Sequence, residues 1–403
     1  MLITFYIIAL SLSFLFGQFA RIQLEGGVSI TLLDCAVATF SVLSFARLLL
    51  RGRLRDIQSF RLFKPFILFI GACALSLLFN IATLSAQEIG VASLYLLRLV
   101  IYTSTAFFIP FFSKQQKILL MRCLAISVAI TVGIGFLQFL YYPSLRNLYY
   151  LEWDDHLYRL FSVYLDPNFA GVIFSCLCMY LLGITIQVVV KDRKRGLFFG
   201  ALTVLSVLAV FLTYSRTGMI ALCIGTVVLL LMKGYKKFLV VCLIFFALLL
   251  VLTADLKVEG LNPLRTVSTN ARIESMRIAT AIFQQNPVFG VGFNAYRYAQ
   301  HRYGFRPDDR WRTSHADAGT DNSFLFVLAT TGVIGFTCYL YFWYTYLRTA
   351  FIASKKGKGT LATVVFATGI AVLASSFFLN TLFYPFILVW VLSFYAVMEN
   401  KSP

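Results

Sequence analysis

The segment GTDNSFLFVLATTGVIGF (residues 319–336) begins polar and continues as an apolar stretch typical of a membrane-spanning helix. It follows the only long polar stretch of the chain, so Asp321 and Asn322 stand at a predicted membrane edge. Small polar residues just before a helix often cap its first turn. The pair is therefore either a helix cap or part of a functional site, and the surrounding membrane topology has to be established first.

The overall composition is that of a polytopic membrane protein. Of the 403 residues, 60% are hydrophobic and only 13% are charged, and the mean hydropathy is +0.82. A soluble domain is usually about 45–50% apolar and about 25% charged. Because backbone groups in lipid find no water, the spans must be helices, and we predict an all-α fold.

About twelve segments approach the length of about 20 apolar residues that a bilayer requires. The first segment has neither the basic start nor the small-residue cleavage site of a signal peptide, so it counts as a span. We treat residues 1–403 as one integral membrane domain. The predicted spans are 2–18, 28–50, 63–83, 90–112, 118–141, 168–190, 197–214, 217–232, 238–253, 322–346, 360–380 and 382–398.

The charge distribution predicts the orientation of these spans. With both termini in the cytoplasm, the inner side carries 21 Lys and Arg against 3 Asp and Glu, so the net charge of +18 lies inside. This is the positive-inside pattern, and it places the protein in a cytoplasmic membrane. The cations are divided among short loops, which argues against a nucleic-acid-binding surface.

Two long loops, 142–167 and 254–321, lie on the predicted outer side and hold all three histidines. The inner loops are too short for a nucleotide site, so a reaction at the outer face would need a substrate that arrives already activated. The outer cations are almost all Arg, whose planar fork of donors suits phosphate. The large loop contains Arg265, Arg272, Arg277, Arg297, Arg302, Arg306, Arg310 and Arg312.

Within the large loop, residues 269–285 have helical periodicity, with Ile273, Ile278 and Ile282 on one face and Arg272 turned elsewhere. The following FGVGF contains Gly290 and Gly292. Their spacing resembles a dinucleotide fingerprint, but no βαβ unit surrounds it. We interpret these glycines as a turn that lets the backbone approach another segment closely.

Two further arginines stand at or within predicted spans. Arg216, in the Ser-Arg-Thr-Gly break between two spans, belongs either to a simple turn or to a cation held at headgroup level. Arg98 lies within the fourth span, where a charge is costly and has to face the protein interior or a cavity. Asp34 is a possible partner for it, and contact with substrate is the alternative.

The sequence SHADAGTDN contains His315, Asp317 and Asp321. Their spacing matches no strong metal-binding motif, so we predict neither a metal nor another cofactor. A carboxylate with a pKa of about 3.9 is deprotonated at neutral pH and can accept a hydroxyl proton. Asp321 can instead cap the following helix, with Asn322 or Ser323 assisting.

In order along the chain, these motifs resemble those of the O-antigen ligase/polymerase superfamily of bacterial inner membranes. The resemblance covers most of the chain. Its elements are Arg-Leu-Phe-Ser from Arg159, Asp-Pro-Asn before Ala170, Ser-Arg-Thr-Gly, Ala-Arg-Ile-Glu, Asn-Pro-Val-Phe-Gly-Val-Gly-Phe and Asp-Asn-Ser-Phe-Leu. In the family's ligases the last motif begins with His-Asn, and that His is regarded as the base, whereas Asp321 stands here.

The resemblance implies a GT-C-like membrane glycosyltransferase that inverts configuration and uses no nucleotide. Its donor would be an undecaprenyl-diphosphate-linked glycan drawn from the lipid bilayer. Arg216 and Arg272 would hold the diphosphate, with Arg159 and Arg98 in secondary contacts. Asp321 or His315 would be the catalytic base at a periplasmic active site.

Three functions remain open from the sequence. A polymerase that lengthens O-antigen or exopolysaccharide chains fits the Asp-Asn motif, and a flippase and a chain-length regulator would be its partners. An O-antigen ligase that attaches glycan to lipid A-core uses the same chemistry. A transporter for lipid-linked sugars would place its charges near the bilayer midplane, whereas here they concentrate in outer loops.

Overall fold

The computed structural model describes residues 2–23, 28–147, 156–242, 244, 266–306, 318–357 and 359–399. Helices make up most of these residues. The only sheet among them is a two-stranded antiparallel hairpin. The prediction of an all-α polytopic membrane fold is therefore confirmed.

The elements follow the predicted spans closely, with short helices between them. The helices are α1 (Leu2–Phe16), α2 (Leu32–Leu50), α3 (Phe63–Phe79), α4 (Ala86–Phe108), α5 (Lys114–Tyr141), α6 (Pro167–Val188), α7 (Arg193–Leu212), α8 (Arg216–Lys233), α9 (Thr266–Gln285), α10 (Tyr296–Arg302), α11 (Ser323–Lys355), α12 (Gly359–Ser375) and α13 (Pro385–Met398). The strands are β1 (Arg21–Gln23) and β2 (Ser29–Thr31), and 3₁₀ turns occur at Gly17–Ala20, Leu54–Ser59, Ile109–Phe111, Ser162–Tyr164 and Thr381–Phe383.

Eight helices within the described ranges are long and apolar enough to cross a membrane. Three more predicted spans are the shorter apolar helices α3, α12 and α13. Of the remaining predicted span, 238–253, residues 238–242 are helical and most of the rest lies outside the described residues. The shortest of these helices, α13, is buried at every residue from Phe386 to Met398. Since its neighbours rather than lipid surround it, its length is not set by the bilayer.

The helix α11 is broken at Gly332, which has φ +63° and ψ −168°. A break in a membrane helix leaves backbone groups that need other partners. Residues 287–292 supply them: the amides of Val291 and Gly292 donate to the carbonyls of Ala329 and Thr330 (3.1 Å each), and the amide of Val333 donates to Pro287 O at 2.9 Å. Residues 287–292, which follow α9, therefore pair with the backbone of α11 about 14 Å from the first residue of that helix.

Glycine is required on both sides of this contact. A Cβ atom on Gly290 would lie 2.4 Å from Thr330 C, and one on Gly332 would lie 2.2 Å from Val288 O. Asn80 of the turn after α3 secures the same contact, because its side-chain amide donates to Gly290 O at 2.9 Å. The interpretation of Gly290 as a site of close backbone approach agrees with this geometry, and the approached segment is α11.

The two ends of the helix bundle are formed by different segments of the chain. The start of α1, the end of α2, the end of α4, the start of α5 and Glu399 after α13 line one cavity. Because α5 starts at that end and crosses the bundle, α6 begins at the other end. The starts of α6 and α8 are hydrogen-bonded to each other there, and the segment before α11 interacts electrostatically with the start of α6.

Candidate active site

The start of α6 is fixed by Asp166, Pro167 and Asn168. The Asp166 carboxylate accepts hydrogen bonds from the amides of Asn168 (2.7 Å) and Phe169 (3.4 Å), so it caps the helix. Pro167 is the first helical residue, where its missing amide hydrogen costs nothing. The Asp-Pro-Asn motif thus sets the exact start of α6 and directs the Asn168 side chain away from its own helix start.

Asn168 joins two other segments at this end of the bundle. Its Oδ1 accepts from Arg159 Nη2 at 3.3 Å and from Ser215 Oγ at 3.1 Å. Arg159 also donates from Nε to Thr213 O at 2.9 Å. Much of the Arg159 guanidinium is therefore occupied in holding the turn before α8. This favours a positioning role for Arg159 over the secondary substrate contact that the family resemblance implied.

Arg216 is the first residue of α8, immediately after this turn. Ser215 caps the helix through a hydrogen bond from Gly218 N at 3.1 Å. A Cβ atom on Gly218 would lie 2.9 Å from Gly171 Cα, so α6 and α8 touch backbone to backbone at this point. The Ser-Arg-Thr-Gly segment is therefore a turn, and it also places the half-buried Arg216 beside the start of α6.

At the start of α11, the capping residue is Asn322 and not Asp321. The Asn322 Oδ1 atom accepts from the amides of Phe324 (2.9 Å) and Leu325 (3.0 Å), and its Nδ2 donates to Phe377 O at 3.1 Å. Ser323 is bound to the α12–α13 connection through Leu382 N at 3.3 Å. With the cap supplied by its neighbour, the Asp321 carboxylate is not required for the helix.

Asp321 lies against α9. Its amide donates to Ser275 Oγ at 3.4 Å, and Ser275 also bonds to the hydroxyl of Thr320 at 2.9 Å. Arg272 precedes Ser275 by three residues and therefore shares its helix face. The sequence-based expectation that Arg272 turns away from the packed face is wrong. Ile273, expected on that face, is 58% exposed, while Ile278 and Ile282 are buried as predicted.

The Asp321 carboxyl group has an unusual electrostatic environment. Burial raises its pKa above the ordinary value, the Arg272 guanidinium opposes this rise, and the Asp166 carboxylate adds to it. Within the described parts of the chain, no hydrogen-bond donor is assigned to the carboxylate. A desolvated carboxylate with a raised pKa is a better proton acceptor near neutral pH than an ordinary Asp.

Asp166 links the two halves of the site. It caps α6 beside the group formed by Arg159, Asn168 and Ser215, and it interacts electrostatically with Asp321. The Asp-Pro-Asn motif is part of the family resemblance, but no role was predicted for Asp166. Asp followed by Pro at the first helical position is a recognisable helix start, so the cap was predictable from sequence. Its proximity to Asp321 was not.

Arg98 lies outside this group. Its Nε is 2.6 Å from Asp34 Oδ1, and its Nη2 donates to Asp34 Oδ2 at 2.7 Å. Tyr102 donates to the same carboxylate at 3.0 Å. Asp34 was the possible partner suggested by the sequence. Thr31 also donates to this carboxylate, from its amide at 2.8 Å and its hydroxyl at 2.7 Å. An ion pair with these further donors is a structural arrangement, and it leaves the predicted substrate contact of Arg98 without support.

The remaining predicted site residues have other positions. Gly290 and Gly292 contact α11 and belong to the scaffold. Arg302 donates to Thr83 O at 2.7 Å, and Arg277 is an exposed residue 3.9 Å from Glu274. The alternative base His315 lies outside the described residues. So do Asp317, Arg265, Arg310 and Arg312.

Comparison with known proteins finds one family that part of the chain matches. Residues 201–340 match the family described as O-antigen ligase, whose members are membrane glycosyltransferase-type enzymes. No curated protein matches the chain. The matched region contains Arg216, Arg272, the broken helix α11 and Asp321. This match supports the resemblance of the chain to the O-antigen ligase/polymerase superfamily of membrane proteins.

Proposed function

We propose that the protein is a polysaccharide polymerase. It transfers an undecaprenyl-diphosphate-linked glycan onto a sugar hydroxyl at the periplasmic face of the inner membrane and inverts the anomeric configuration. The polymer is O-antigen or exopolysaccharide. The donor is already activated by its diphosphate, so no nucleotide is needed. A flippase would deliver this donor, and a chain-length regulator would act on the growing product.

The observation that carries the proposal is the state of Asp321. Its carboxylate is released from helix capping by Asn322, is desolvated, and lies near Arg272. A carboxylate that only stabilised the fold would be capped or paired. A raised pKa in a site with a nearby cation is typical of a functional group.

In the proposed reaction, Asp321 accepts the proton of the acceptor hydroxyl. The acceptor oxygen forms a bond to the anomeric carbon from one face while the bond from that carbon to the diphosphate oxygen breaks on the other. The configuration is thereby inverted. The diphosphate leaves with its bonding electrons, and guanidinium groups stabilise the charge that develops on it.

Arg272 and Arg216 are the arginines that we assign to the diphosphate. Arg272 lies on the α9 face that meets Asp321, and Arg216 begins α8 beside Asn168. The start of α8 adds the positive end of a helix dipole, which favours anions. Arg159 supports this arrangement by donating hydrogen bonds to Thr213 O and Asn168 Oδ1.

An O-antigen ligase is the second candidate, because the matching family is described by that name. The two functions share donor, base and cations and differ in the acceptor. A transporter of lipid-linked sugars is less well supported. Arg98, the exceptional charge within a span, is paired with Asp34 and not directed at a central pathway.

Reconstitution distinguishes the two enzymes. The purified protein in lipid vesicles would be supplied with a single undecaprenyl-diphosphate-linked repeat unit. A ladder of lipid-linked oligomers without any further acceptor is the result expected for a polymerase. A product that forms only when lipid A-core is added, with no ladder before it, would contradict the polymerase assignment and support a ligase.

A second experiment tests the residues. A polymerase-null strain would be complemented with Asp321→Ala or Arg216→Ala, and the glycan ladder would be compared at equal protein level. Glu274→Ala is the matched carboxylate control, since this exposed residue lies on α9 near the site. We expect both site variants to lose the ladder and the control to retain it. Normal ladders from both site variants would refute the assignment.

A further inference from the structure

A cavity of about 940 Å³ lies at the end of the bundle opposite Asp321. It is enclosed by the start of α1, the ends of α2 and α4, the 3₁₀ turn Leu54–Ser59, the start of α5 and Glu399. By the positive-inside distribution this end faces the cytoplasm. Its volume is in the range of sites that bind small organic molecules.

The lining of this cavity is strongly cationic. It contains two carboxylates, both of them engaged by arginines. Asp56 accepts from Arg53 Nε at 2.7 Å, and Glu399 accepts from the backbone amide of Arg61 at 2.8 Å. The lining cations are Arg47, Arg51, Arg53, Arg55, Lys114 and Lys117.

Four of the cations have no assigned ion pair or hydrogen bond within the described part of the chain. They are Arg47, Arg51, Arg55 and Lys114, and all four are exposed. Lys117 lies deeper, only 5% exposed, and donates to Pro110 O at 2.9 Å. Several cations that converge without counter-charges repel one another, and an anion bound among them would relieve this repulsion.

One wall of the cavity is aromatic. Phe60, Phe107, Phe108 and Phe112 are buried side chains that line it, and the Arg53 guanidinium lies 5.5 Å from the centre of the Phe111 ring. The cavity thus places phosphate-binding groups beside an apolar surface. That combination suits an amphiphile at the height of the lipid headgroups better than a fully hydrated anion.

We propose that this cavity binds one anionic phospholipid of the inner leaflet. The headgroup phosphate lies among Arg47, Arg51, Arg55 and Lys114, and the glycerol and first acyl carbons lie against the phenylalanine wall. Basic pockets between membrane helices on the cytoplasmic side favour such headgroups. The bound lipid would tie α1, α2, α4 and α5 together at a distance from the catalytic end.

The test uses the full-length protein in neutral detergent and native mass spectrometry with added lipid. Phosphatidylglycerol is the anionic probe, phosphatidylcholine the zwitterionic one, and inorganic phosphate the soluble one. The variant Arg47→Gln/Arg51→Gln removes two lining cations. Arg193→Gln/Lys194→Gln is the matched control, because these exposed residues begin α7 at the same end but do not line the cavity.

We expect wild type and the control to retain one phosphatidylglycerol molecule and to bind phosphatidylcholine weakly. Each cation near an anionic headgroup contributes a factor of about five, so the lining double variant should bind phosphatidylglycerol roughly 25-fold more weakly. Arg55→Gln/Lys114→Gln should lose affinity similarly. If thermal unfolding without lipid shows that Arg47→Gln/Arg51→Gln has not folded, Arg55→Gln/Lys114→Gln still tests the proposal.

Three outcomes would overturn the proposal. Equal losses in the lining and control variants would mean that only general surface charge attracts the lipid. Equal retention of phosphatidylcholine would mean that the charge has no role. Binding of inorganic phosphate that is as strong as that of phosphatidylglycerol, and is lost in the same variants, would identify a site for a soluble anion.

Discussion

Two of the arginine–aspartate pairs in the described structure, Arg98 with Asp34 and Arg272 with Asp321, differ in every contact. Arg98 and Asp34 are joined by two short contacts, 2.6 and 2.7 Å, and the carboxylate also accepts hydrogen bonds from Tyr102 and from the amide and hydroxyl of Thr31. Arg272 and Asp321 interact electrostatically, with no hydrogen bond assigned between them in the described structure. The first carboxylate is fully engaged, whereas the second is desolvated without being neutralised.

This difference separates a structural charge from a chemical one. A buried pair with good geometry balances the cost of burying two charges, but removing one partner leaves the other uncompensated. Asp321 lacks such compensation and its pKa is raised, so its ionised form is held at a cost to the fold. A carboxylate with a raised pKa, beside a second carboxylate and a cation, has the properties of a proton acceptor. Four predictions test this contrast.

The largest expected effect is on activity in Asp321→Asn. Loss of a general base reduces rates by roughly 10²–10⁴-fold, and the ladder assay in vesicles would measure this. Stability should not fall. Because the folded-state pKa is raised, protonated Asp321 stabilises the fold at low pH, and this contribution is lost as pH rises through that pKa. The neutral Asn should therefore be at least as stable as wild type at neutral pH. Substantial remaining activity would favour His315 as the base.

Arg272→Ala should lower the rate by roughly 10²–10³-fold, because it removes charge stabilisation from the leaving diphosphate. Arg277→Ala is the control on the same helix, where the side chain is 81% exposed. Since Arg272 lowers the pKa of Asp321, its loss should also move the acid limb of the rate profile to higher pH. Equal rate losses in the two variants would show that only the general charge of α9 matters.

Asp34→Asn should affect stability rather than chemistry. It leaves Arg98 without its carboxylate in a largely buried position, at a cost of about 3 kcal/mol. Unfolding in bicelles would measure the loss, and Asp34→Asn/Arg98→Met should recover most of it. The remaining folded protein should keep its turnover per molecule. A selective loss of turnover with unchanged stability would instead return Arg98 to the active site.

The smallest effect is expected from Asp166→Asn. Asn caps helices about as well as Asp, so α6 should start as before. The Asp166 carboxylate raises the pKa of Asp321, and its removal should move the acid limb of the activity profile to lower pH. Rates at several pH values would show the shift, with Asp192→Asn at the exposed start of α7 as the control. An unchanged profile would mean that Asp166 acts only as a cap.

Much of the fold could be predicted from residue periodicity and composition. Spans such as α5 and α8 can be recognised in the sequence, because a helix that crosses lipid needs a minimum length and an apolar surface. The break at Gly332 was not predicted, because glycine is frequent in membrane helices and does not by itself mark a break. Only the pairing of residues 287–292 with α11, distant in the chain, makes that break stable.

For the candidate site, the sequence predicted residue types better than residue roles. Motif order brought attention to Arg216, Arg272 and Asp321, whose roles stay predictions. It could not show that Arg98 is paired with Asp34 by a bidentate contact or that Arg159 bonds to Thr213 O and Asn168, since these partners come from separate segments. It also assigned Arg272 to the wrong face of α9, because an Arg on an amphipathic helix is usually exposed.

By itself, the sequence determined that this chain is a helical membrane protein, and it predicted that most cations lie on one side and a polar, arginine-rich region on the other. Those properties can be inferred residue by residue, since each depends only on whether a side chain faces lipid, water or the charged membrane surface. Tertiary structure alone decided that Asn322 caps α11 while Asp321 does not. It also decided that Arg272 and Asp166 flank the released carboxylate. A pKa and a catalytic role depend on which groups meet in space, and those groups belong to three helices far apart in the chain.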